Sequence, residues 1–125
     1  MVIVDANVFI DSLRNKPVAV AELERIGFSE IVVTDVTAME LFRGTRNKQE
    51  VAEIRNLLKR VNGVVLAGDA HLLALQWAEQ FCLSHSPVGI PDLLVGAFAS
   101  INDLELHTYN KKHFRHLPGL RLWES

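Results

Sequence analysis

The chain has 125 residues, of which 49% are hydrophobic and 22% are charged, and its formal net charge is −2. This composition excludes a disordered chain, and the length predicts a single domain over residues 1–125. A domain dedicated to nucleic acid is usually far more basic, so such a contact would need a local basic patch or a bound cation.

Short β-branched runs alternate with longer helical runs from the first residues onward. Val2-Ile3-Val4 predicts a first strand that is buried on both faces, because all three residues are apolar. A short helix is predicted from Ala6 to Leu13. Pro17 suits the first turn of the next helix, and Gly27 suits its end.

The middle of the chain continues this alternation. Ile31-Val32-Val33 predicts the second strand, and a helix follows from Thr37 to Phe42. The clearest amphipathic pattern predicts a helix from Lys48 to Val61, because its apolar residues share one stripe and its charges lie opposite.

The second half of the chain predicts two helices and three strands, joined by polar segments. In order, these are a strand over Val64-Val65-Leu66, a helix from Ala70 to about Leu83 with Asp69 as N-cap, a helix from Pro91 to about Ile101, a strand from Leu104 to Tyr109, and an edge strand over Leu120-Arg121-Leu122. A polar turn is predicted at Ser84 to Gly89, and a basic loop or short helix at Lys111 to Gly119.

The predicted fold is an α/β/α three-layer sandwich with a central, mostly parallel sheet. Strands separated by helices indicate parallel pairing, because a parallel neighbour requires a crossover connection. Right-handed crossovers place helices on both faces of the sheet. In sheets of this kind, ligands bind beyond the carboxyl ends of the strands.

Two further features bound the class of protein. The sequence has neither an apolar stretch long enough to cross a bilayer nor a basic segment of the kind that opens a signal peptide, so we expect a soluble, cytoplasmic protein with no membrane partner. Cys82 is the only cysteine, which excludes an internal disulfide and a thiolate zinc cluster. Its apolar surroundings predict a buried small side chain rather than a catalytic thiol.

Four polar side chains are expected at the carboxyl edge of this sheet. Asp5 follows the first strand directly, and Glu40 lies within about two turns of the second. Asp92 begins the helix that precedes the strand from Leu104 to Tyr109, and Asn110 follows that strand. If the strands are parallel, these distant residues converge at one crevice.

Each carboxylate also has a structural interpretation, which for one residue alone is the stronger one. Asp5 is a suitable N-cap, and Thr37-Ala38-Met39-Glu40 matches a capping box. Asp92 after Pro91 suits the positive end of a helix. Capping does not explain why all three acids are predicted at the carboxyl edge of the sheet. Every helix needs a cap, and the preference for a capping residue is the same at both edges.

Carboxylates gathered in one crevice would repel each other and raise each other's pKa unless a cation were present. Oxygen ligands without cysteine or paired histidine favour Mg²⁺ or Mn²⁺ over Zn²⁺. Such an ion lowers the pKa of water and stabilises charge that develops on a phosphate. The pattern therefore indicates hydrolysis of a phosphodiester bond with water as the nucleophile.

Four segments of the chain resemble the motifs of PIN domains, in the order and spacing of that family. They are Val2-Ile3-Val4-Asp5-Ala6-Asn7-Val8-Phe9-Ile10, Thr37-Ala38-Met39-Glu40-Leu41-Phe42-Arg43-Gly44, Pro91-Asp92-Leu93-Leu94-Val95-Gly96-Ala97 and Thr108-Tyr109-Asn110-Lys111-Lys112-His113-Phe114. The last is similar to the fourth motif of VapC-like toxins. The resemblance implies an endoribonuclease that depends on Mg²⁺ or Mn²⁺, is usually dimeric and is held inactive by a cognate antitoxin.

The resemblance also implies roles for particular residues. Asp5, Glu40 and Asp92 would be the acidic metal ligands, directly or through water. Asn110 stands where many PIN nucleases have a fourth acid, a common variant in the VapC-like branch that leaves open whether one or two metal ions bind. Thr108 would help to position water.

Basic residues near this edge would contact the RNA backbone or belong to a solvated loop. They are Arg43, Arg46, Lys111, Lys112 and Arg115, with His113 and His116. His113 is expected to pack or hydrogen-bond beside Phe114 rather than act as a general acid. Trp77 and Phe81 lie at helical spacing and are expected in the core or in a dimer contact.

Three other functions compete with the nuclease. A non-catalytic PIN-like module would bind RNA or a protein. The three acids argue against this function, because close carboxylates repel each other and a site without catalysis has no use for them. A haloacid-dehalogenase-like phosphatase needs an Asp two residues after the first and then Thr, where this chain has Asn7 and Val8. A receiver domain needs its phosphoacceptor Asp at the end of the third strand, which is absent here.

Overall fold

Five parallel strands form one sheet within residues 1–84 and 88–124, the parts of the chain that the computed structural model describes. They are β1 (Val2–Val4), β2 (Ile31–Thr34), β3 (Asn62–Val64), β4 (Glu105–His107) and β5 (Arg121–Leu122). Their order across the sheet is β3-β2-β1-β4-β5, and each neighbouring pair is parallel. β1 is therefore central, which explains its uniformly apolar sequence, and β5 lies at an edge as predicted.

Helices connect these strands along the described residues. They are α1 (Ala6–Leu13), α2 (Pro17–Ile26), α3 (Asp35–Arg43), α4 (Lys48–Leu58), α5 (Gly68–Phe81), α6 (Ile90–Ile101) and α7 (Lys111–Phe114), with a 3-10 turn at Phe28–Glu30. No helix in residues 1–84 or 88–124 combines the length and the hydropathy that crossing a bilayer requires.

Two apolar clusters lie on opposite faces of the sheet, because successive side chains of a strand point to opposite sides. Ile3 packs in one cluster with residues of α5, α6 and α7, including Trp77 and Phe114. Val4 packs in the other with residues of α1 to α4, including Phe9. These layers confirm the predicted α/β/α sandwich, and they place Trp77 in the core.

The third strand begins earlier than the sequence predicted. The prediction was Val64-Val65-Leu66, but β3 spans Asn62–Val64 and Val65 is 78% exposed. The side-chain amide of Asn62 donates to the carbonyl oxygens of Ser29 and Ile31 at 2.8 and 2.9 Å, which anchors the strand beside the start of β2. The β-branched run therefore extends past the paired segment.

Several predicted helix limits were wrong by two or three residues. The predicted helix from Lys48 to Val61 ends at Leu58. The helix predicted from Ala70 to Leu83 begins at Gly68 and ends at Phe81. Asp69 therefore lies inside the first turn, where its carboxylate accepts from the Ala70 N–H at 2.8 Å and does not act as the N-cap.

Three other predictions concern Cys82, the fourth strand and the polar turn after α5. Cys82 is exposed just beyond α5, so the prediction of a buried side chain was wrong. The paired part of the strand predicted from Leu104 to Tyr109 is limited to Glu105–His107. The turn predicted at Ser84 to Gly89 includes residues 85–87, which lie outside the described residues.

Candidate active site

Asp5 lies at the carboxyl end of the central strand and is buried, with 4% of its surface exposed. It is the N-cap of α1, and its Oδ1 accepts from the Ala6 N–H at 2.9 Å. Its own backbone N–H donates to the carbonyl oxygen of His107 on the neighbouring strand at 2.9 Å. The structural interpretation of Asp5 is therefore correct, yet only one of its carboxylate oxygens is used for capping.

The second oxygen of Asp5 belongs to a network that joins the first and fourth motifs. The Thr108 hydroxyl donates to Oδ2 at 2.8 Å and accepts from the Asn110 backbone N–H at 3.0 Å. Asn7 lies beside this pair: its amide nitrogen is 3.4 Å from Asp5 Oδ2, and its Oδ1 accepts from the Tyr109 N–H at 3.2 Å. No role in the site was predicted for Asn7, and the structure makes it part of this network.

Glu40 projects from α3, whose start differs from the prediction. The helix begins at Asp35, and its N-cap is Thr34, whose hydroxyl accepts from the Thr37 N–H at 3.2 Å. Thr37 therefore lies inside the helix, and the capping-box interpretation of Thr37 and Glu40 was wrong. The carboxylate of Glu40 is consequently not needed to complete the end of this helix.

Asp92 lies in the first turn of α6, and 21% of its side chain is exposed. Because α6 leads directly into the parallel strand β4, its first turn lies at the carboxyl edge of the sheet, the edge at which Asp5 follows β1. His113 Nδ1, on α7, lies 3.5 Å from Asp92 Oδ2. The structural expectation for His113, packing or hydrogen bonding beside Phe114, did not include this contact with a carboxylate.

The pKa of each of the three carboxyl groups is raised, for reasons that differ between them. Burial raises the pKa of Asp5, although the hydrogen bond from Thr108 partly opposes the shift. Burial and then the charge of Asp5 raise the pKa of Asp92, while His113 opposes this. Burial raises the pKa of Glu40, and the charges of Asp5 and Asp92 raise it further. Repulsion from neighbouring acids therefore raises the pKa of Asp92 and of Glu40, whereas burial alone raises that of Asp5.

The donor set fits a hard divalent cation that keeps part of its water. In the described ranges, no three side chains of His, Cys, Asp and Glu are grouped closely enough to hold one ion directly. Mg²⁺ usually binds through only one or two carboxylates and retains several waters, so direct ligation by three is not required. Asp5 Oδ1 accepts one hydrogen bond, at 2.9 Å, and keeps a lone pair for a cation, whereas Oδ2 accepts from Thr108 at 2.8 Å and from Asn7 at 3.4 Å.

The sequence model of the PIN domain matches residues 2–120, which is nearly the whole chain. The chain belongs to the PIN domain family. This confirms the resemblance drawn from the four motifs.

Individual PIN proteins are similar to the chain over almost all of its length. It is 29% identical to ribonuclease VapC19 of Mycobacterium tuberculosis, over 97% of this chain and 98% of that one. It is 24% identical to the tRNA(fMet)-specific endonuclease VapC of Salmonella typhimurium, over 94% and 92% of the two chains. The crystal structure of DNA-bound VapBC from Salmonella typhimurium contains the same fold, with a TM-score of 0.85, 23% identity and coverage of 98% and 96%.

Asn110, in the fourth motif of this PIN domain, follows β4 but contributes to the network mainly through its backbone. Its N–H donates to Thr108 Oγ1, and its carbonyl oxygen accepts from the His113 N–H at 2.9 Å. The residue is exposed and precedes α7 without a side-chain capping bond. The observed contacts therefore fix the turn that carries His113.

His107 is a buried residue of the PIN domain that sequence analysis missed. Its ring contacts Trp123, with centroids 4.5 Å apart, and its Nε2 lies 3.3 Å from Glu22 Oε1 without the alignment of a hydrogen bond. Glu22 accepts a short hydrogen bond from the Tyr109 hydroxyl. Burial lowers the pKa of His107, which favours a neutral ring. No sequence signal links these residues, because their contacts depend on how α2 packs beside the end of β4.

The predicted basic residues do not behave as one group. Arg46 pairs with Glu50 and Lys111 pairs with Glu124, at 2.7 and 2.8 Å, and His116 stacks edge-on against Phe81. The remaining three are exposed and form no ion pair with another described residue: Arg43, Lys112 and Arg115.

Proposed function

We propose that this PIN domain is a Mg²⁺- or Mn²⁺-dependent endoribonuclease and the toxin of a toxin–antitoxin pair, acting in the cytoplasm. The observation that supports the proposal is the placement of Asp5 and Asp92 at the carboxyl edge of the sheet, where the charge of Asp5 raises the pKa of Asp92 and both charges raise the pKa of Glu40. Repulsion of this kind destabilises the folded protein, and a cation that binds the charged form removes it. A site that carries this repulsion is therefore best explained by a metal.

Asp5 and Asp92 would hold the cation directly, with Glu40 contributing directly or through water. The bound ion would supply a water of lowered pKa and positive charge beside the scissile phosphate. Thr108 orients the carboxylate of Asp5 by donating to Oδ2, and the Ala6 N–H fixes its other oxygen. A carboxylate with both oxygens fixed cannot rotate away, so the site is preorganised for binding.

RNA as the substrate is supported by the relatives. VapC19 of Mycobacterium tuberculosis is named a ribonuclease, and the Salmonella typhimurium relative is named a tRNA(fMet)-specific endonuclease. The acidic site needs a cation before it attracts a phosphodiester, which agrees with the net charge of −2. Arg43, Lys112 and Arg115, which are free of ion pairs among the described residues, would contact the RNA backbone more readily than Lys111, which is paired to Glu124.

A cognate antitoxin is the second expected partner. The Salmonella typhimurium structure that matches this fold is a VapBC assembly bound to DNA, and a solved structure from Klebsiella pneumoniae with 24% identity is a toxin–antitoxin complex. An antitoxin segment that entered the crevice would place a basic side chain against the acidic cluster, because charge complementarity favours it. We also propose that the chain functions as a homodimer.

The function is tested by removing one carboxylate without changing its size. Asp92→Asn should reduce cleavage of RNA by at least about a hundredfold, because it removes a ligand charge that the transition state needs. Asp69→Asn is the matched control, since Asp69 also lies in the first turn of a helix but is exposed. If Asp92→Asn protein cut RNA as fast as the parent, the assignment of the site would be wrong.

A non-catalytic binding module remains the second candidate, and one observation favours it. The acids and histidines of the described residues form no ready-made group of three direct ligands. A titration with Mn²⁺ separates the two functions. Saturable binding that is lost in Asp92→Asn supports the nuclease, whereas no binding together with no cleavage of any RNA supports the module. A haloacid-dehalogenase-like phosphatase is not supported, because Asn7 occupies the position of its second Asp and hydrogen-bonds Asp5 instead.

A further inference from the structure

Glu22 lies on α2, outside the four motifs of the PIN domain, yet it contacts the segment at the end of β4. The Tyr109 hydroxyl donates a hydrogen bond to its Oε1, and His107 Nε2 lies 3.3 Å from the same oxygen. Only 13% of the Glu22 side chain is exposed. A carboxylate that is withdrawn from water needs partners within the protein, and Tyr109 supplies the hydrogen bond. One glutamate of α2 therefore contacts the residues on both sides of Thr108.

His107 and Tyr109 point to one side of this segment, and Thr108 points to the other. Side chains alternate along an extended chain, so residues two apart share a side. The rings of His107 and Tyr109 agree with this, because they meet edge-on with their centroids 5.4 Å apart. On the opposite side, the Thr108 hydroxyl donates to Asp5 Oδ2 at 2.8 Å. Glu22 thus holds the segment from the side opposite to the Thr108 hydroxyl.

The backbone around Thr108 is held by other contacts, which do not restrain the Tyr109 ring. The His107 carbonyl oxygen accepts from the Asp5 N–H at 2.9 Å, and the Tyr109 N–H donates to Asn7 Oδ1 at 3.2 Å. Both partners lie at the start of α1, so these bonds tie the backbone to the end of β1. Tyr109 is 38% exposed, so packing alone does not fix its ring. The hydrogen bond from its hydroxyl to α2 supplies the missing restraint.

We propose that Glu22 is a positioning residue of the active site: it holds the Tyr109 hydroxyl, and this contact aims the Thr108 hydroxyl at Asp5. In this role Glu22 touches neither the cation nor the RNA. Its effect reaches the reaction through the orientation of Asp5, so the inference rests on the proposed metal-dependent function. A displacement of about 1 Å at a reacting centre can lower a rate by about a hundredfold, so a contact outside the crevice can have a large effect.

A purely structural role must be distinguished from positioning. If the contact only fastens α2 to the sheet, its loss lowers stability, and any effect on the turnover of folded protein is independent of the Thr108 hydroxyl. If the contact positions that hydroxyl, its loss affects turnover only while the hydroxyl is present. A double-mutant cycle measures this dependence, because residues that act through one another give non-additive effects.

The test compares kcat and KM for RNA cleavage in the parent, Tyr109→Phe, Thr108→Val and the double variant, at a temperature at which all four are folded. Tyr109→Phe keeps the ring and removes only the hydroxyl. It should lower kcat by about ten- to a hundredfold with little change in KM, but by less than about twofold in the Thr108→Val background. Glu22→Ala should act as Tyr109→Phe does, whereas Glu22→Gln keeps an oxygen acceptor and should retain most of the parental rate.

Ser100→Ala is the matched control, because it also removes one hydroxyl, which donates to the Pro118 carbonyl oxygen at 3.1 Å near the last turn of α6. It should leave kcat unchanged in both backgrounds. Crystal structures of metal-free Tyr109→Phe give a readout that needs neither metal nor RNA. In them, the distance from Thr108 Oγ1 to Asp5 Oδ2 should increase from 2.8 Å to beyond hydrogen-bond distance.

Two kinds of result would overturn the inference, and they have different meanings. If Tyr109→Phe lowers kcat equally in both backgrounds, or if the Thr108 hydroxyl keeps its place in the variant structure, Glu22 does not position the site, while the metal-dependent function stands. If the parent neither cuts RNA nor binds Mn²⁺, the inference fails together with the proposed function.

Discussion

Thr108 has a buried hydroxyl with two close partners, in addition to the Asn7 amide nitrogen at 3.5 Å, and its proposed role follows from the two close contacts. It donates to Asp5 Oδ2 and accepts from the Asn110 backbone N–H. Replacement by an apolar side chain of the same shape would leave a buried carboxylate oxygen without its donor and a backbone N–H without its acceptor. Each such loss costs about 1–3 kcal/mol when the group cannot reach water.

Thr108→Val should therefore lower the free energy of unfolding by about 1–3 kcal/mol, and should also reduce RNA cleavage because Asp5 loses its orientation. Thr108→Ser keeps the hydroxyl and should retain most of both properties. Urea unfolding and cleavage rates measure the two effects. Parental stability and rate in the Val variant would show that the hydroxyl does not position Asp5.

Sequence analysis predicted some residues of the proposed site and gave no role to others that the structure places beside it. Asp5 and Asp92 were predictable because each adjoins the end of a clearly patterned strand or helix. The contacts of Asn7 and His107 were not predictable. Asn7 contacts Tyr109, about a hundred positions away, and His107 contacts Glu22, about eighty-five positions away, so both contacts depend on how the elements pack in the folded chain. Cys82 was wrongly placed inside, because an apolar helical stretch does not specify which of its residues lies past the last turn.

Thr34 determines how α3 presents Glu40. Its hydroxyl caps the helix at the Thr37 N–H and donates to the Thr37 hydroxyl at 3.3 Å, and both residues are fully buried. Because the cap is completed by these two threonines, the carboxylate of Glu40 does not take part in it. The start of α3 therefore forms without the carboxylate of Glu40.

Thr34→Ala should lower the free energy of unfolding by about 1–2 kcal/mol, the usual effect of removing an N-cap. Glu40→Gln should leave stability unchanged or raise it, since it removes a repulsive charge, while abolishing cleavage. Equilibrium unfolding in urea separates these outcomes. A capping role for Glu40 would be indicated instead if Glu40→Gln destabilised the protein as much as Thr34→Ala.

The limits of the elements were harder to predict than their order. Every predicted strand exists, and their parallel arrangement followed from the intervening helices. The β-branched run Val64-Val65-Leu66 misplaced β3, because pairing with β2 is set by the side-chain amide of Asn62. The pattern of apolar residues specifies that a segment is buried, but a polar contact to another element decides where pairing begins.

The raised pKa values of the three carboxyl groups make the stability of the whole molecule depend on pH. The folded-state pKa of each is raised, so the folded protein binds more protons than the unfolded chain between the ordinary carboxylate pKa, near pH 4, and the raised values. In this window the metal-free protein loses stability as the pH rises. Below it, the carboxylates are protonated in both states and the penalty is absent.

Asp92→Asn removes one of these charges, so the melting temperature of the metal-free variant should exceed that of the parent by an amount that grows between pH 4 and pH 7. The difference at pH 7 should be about 2–4 °C, because partial exposure screens the repulsion. Saturating Mg²⁺ should reduce or reverse it by stabilising the parent alone. A difference that did not change with pH or Mg²⁺ would mean that the acids are not coupled in the folded protein.

At the scale of the whole sheet, we propose that the parallel strands bring Asp5, Glu40 and Asp92 to one edge, where they would bind a divalent cation. Crystals soaked in Mn²⁺ test it most directly, through an anomalous difference map. We predict a strong anomalous peak within metal-ligand distance of a carboxylate oxygen of Asp5 or Asp92. The same peak should be absent from crystals of the Asp92→Asn variant that are soaked in the same way. A map with no peak at this crevice, or with the same peak in the variant, would contradict the account.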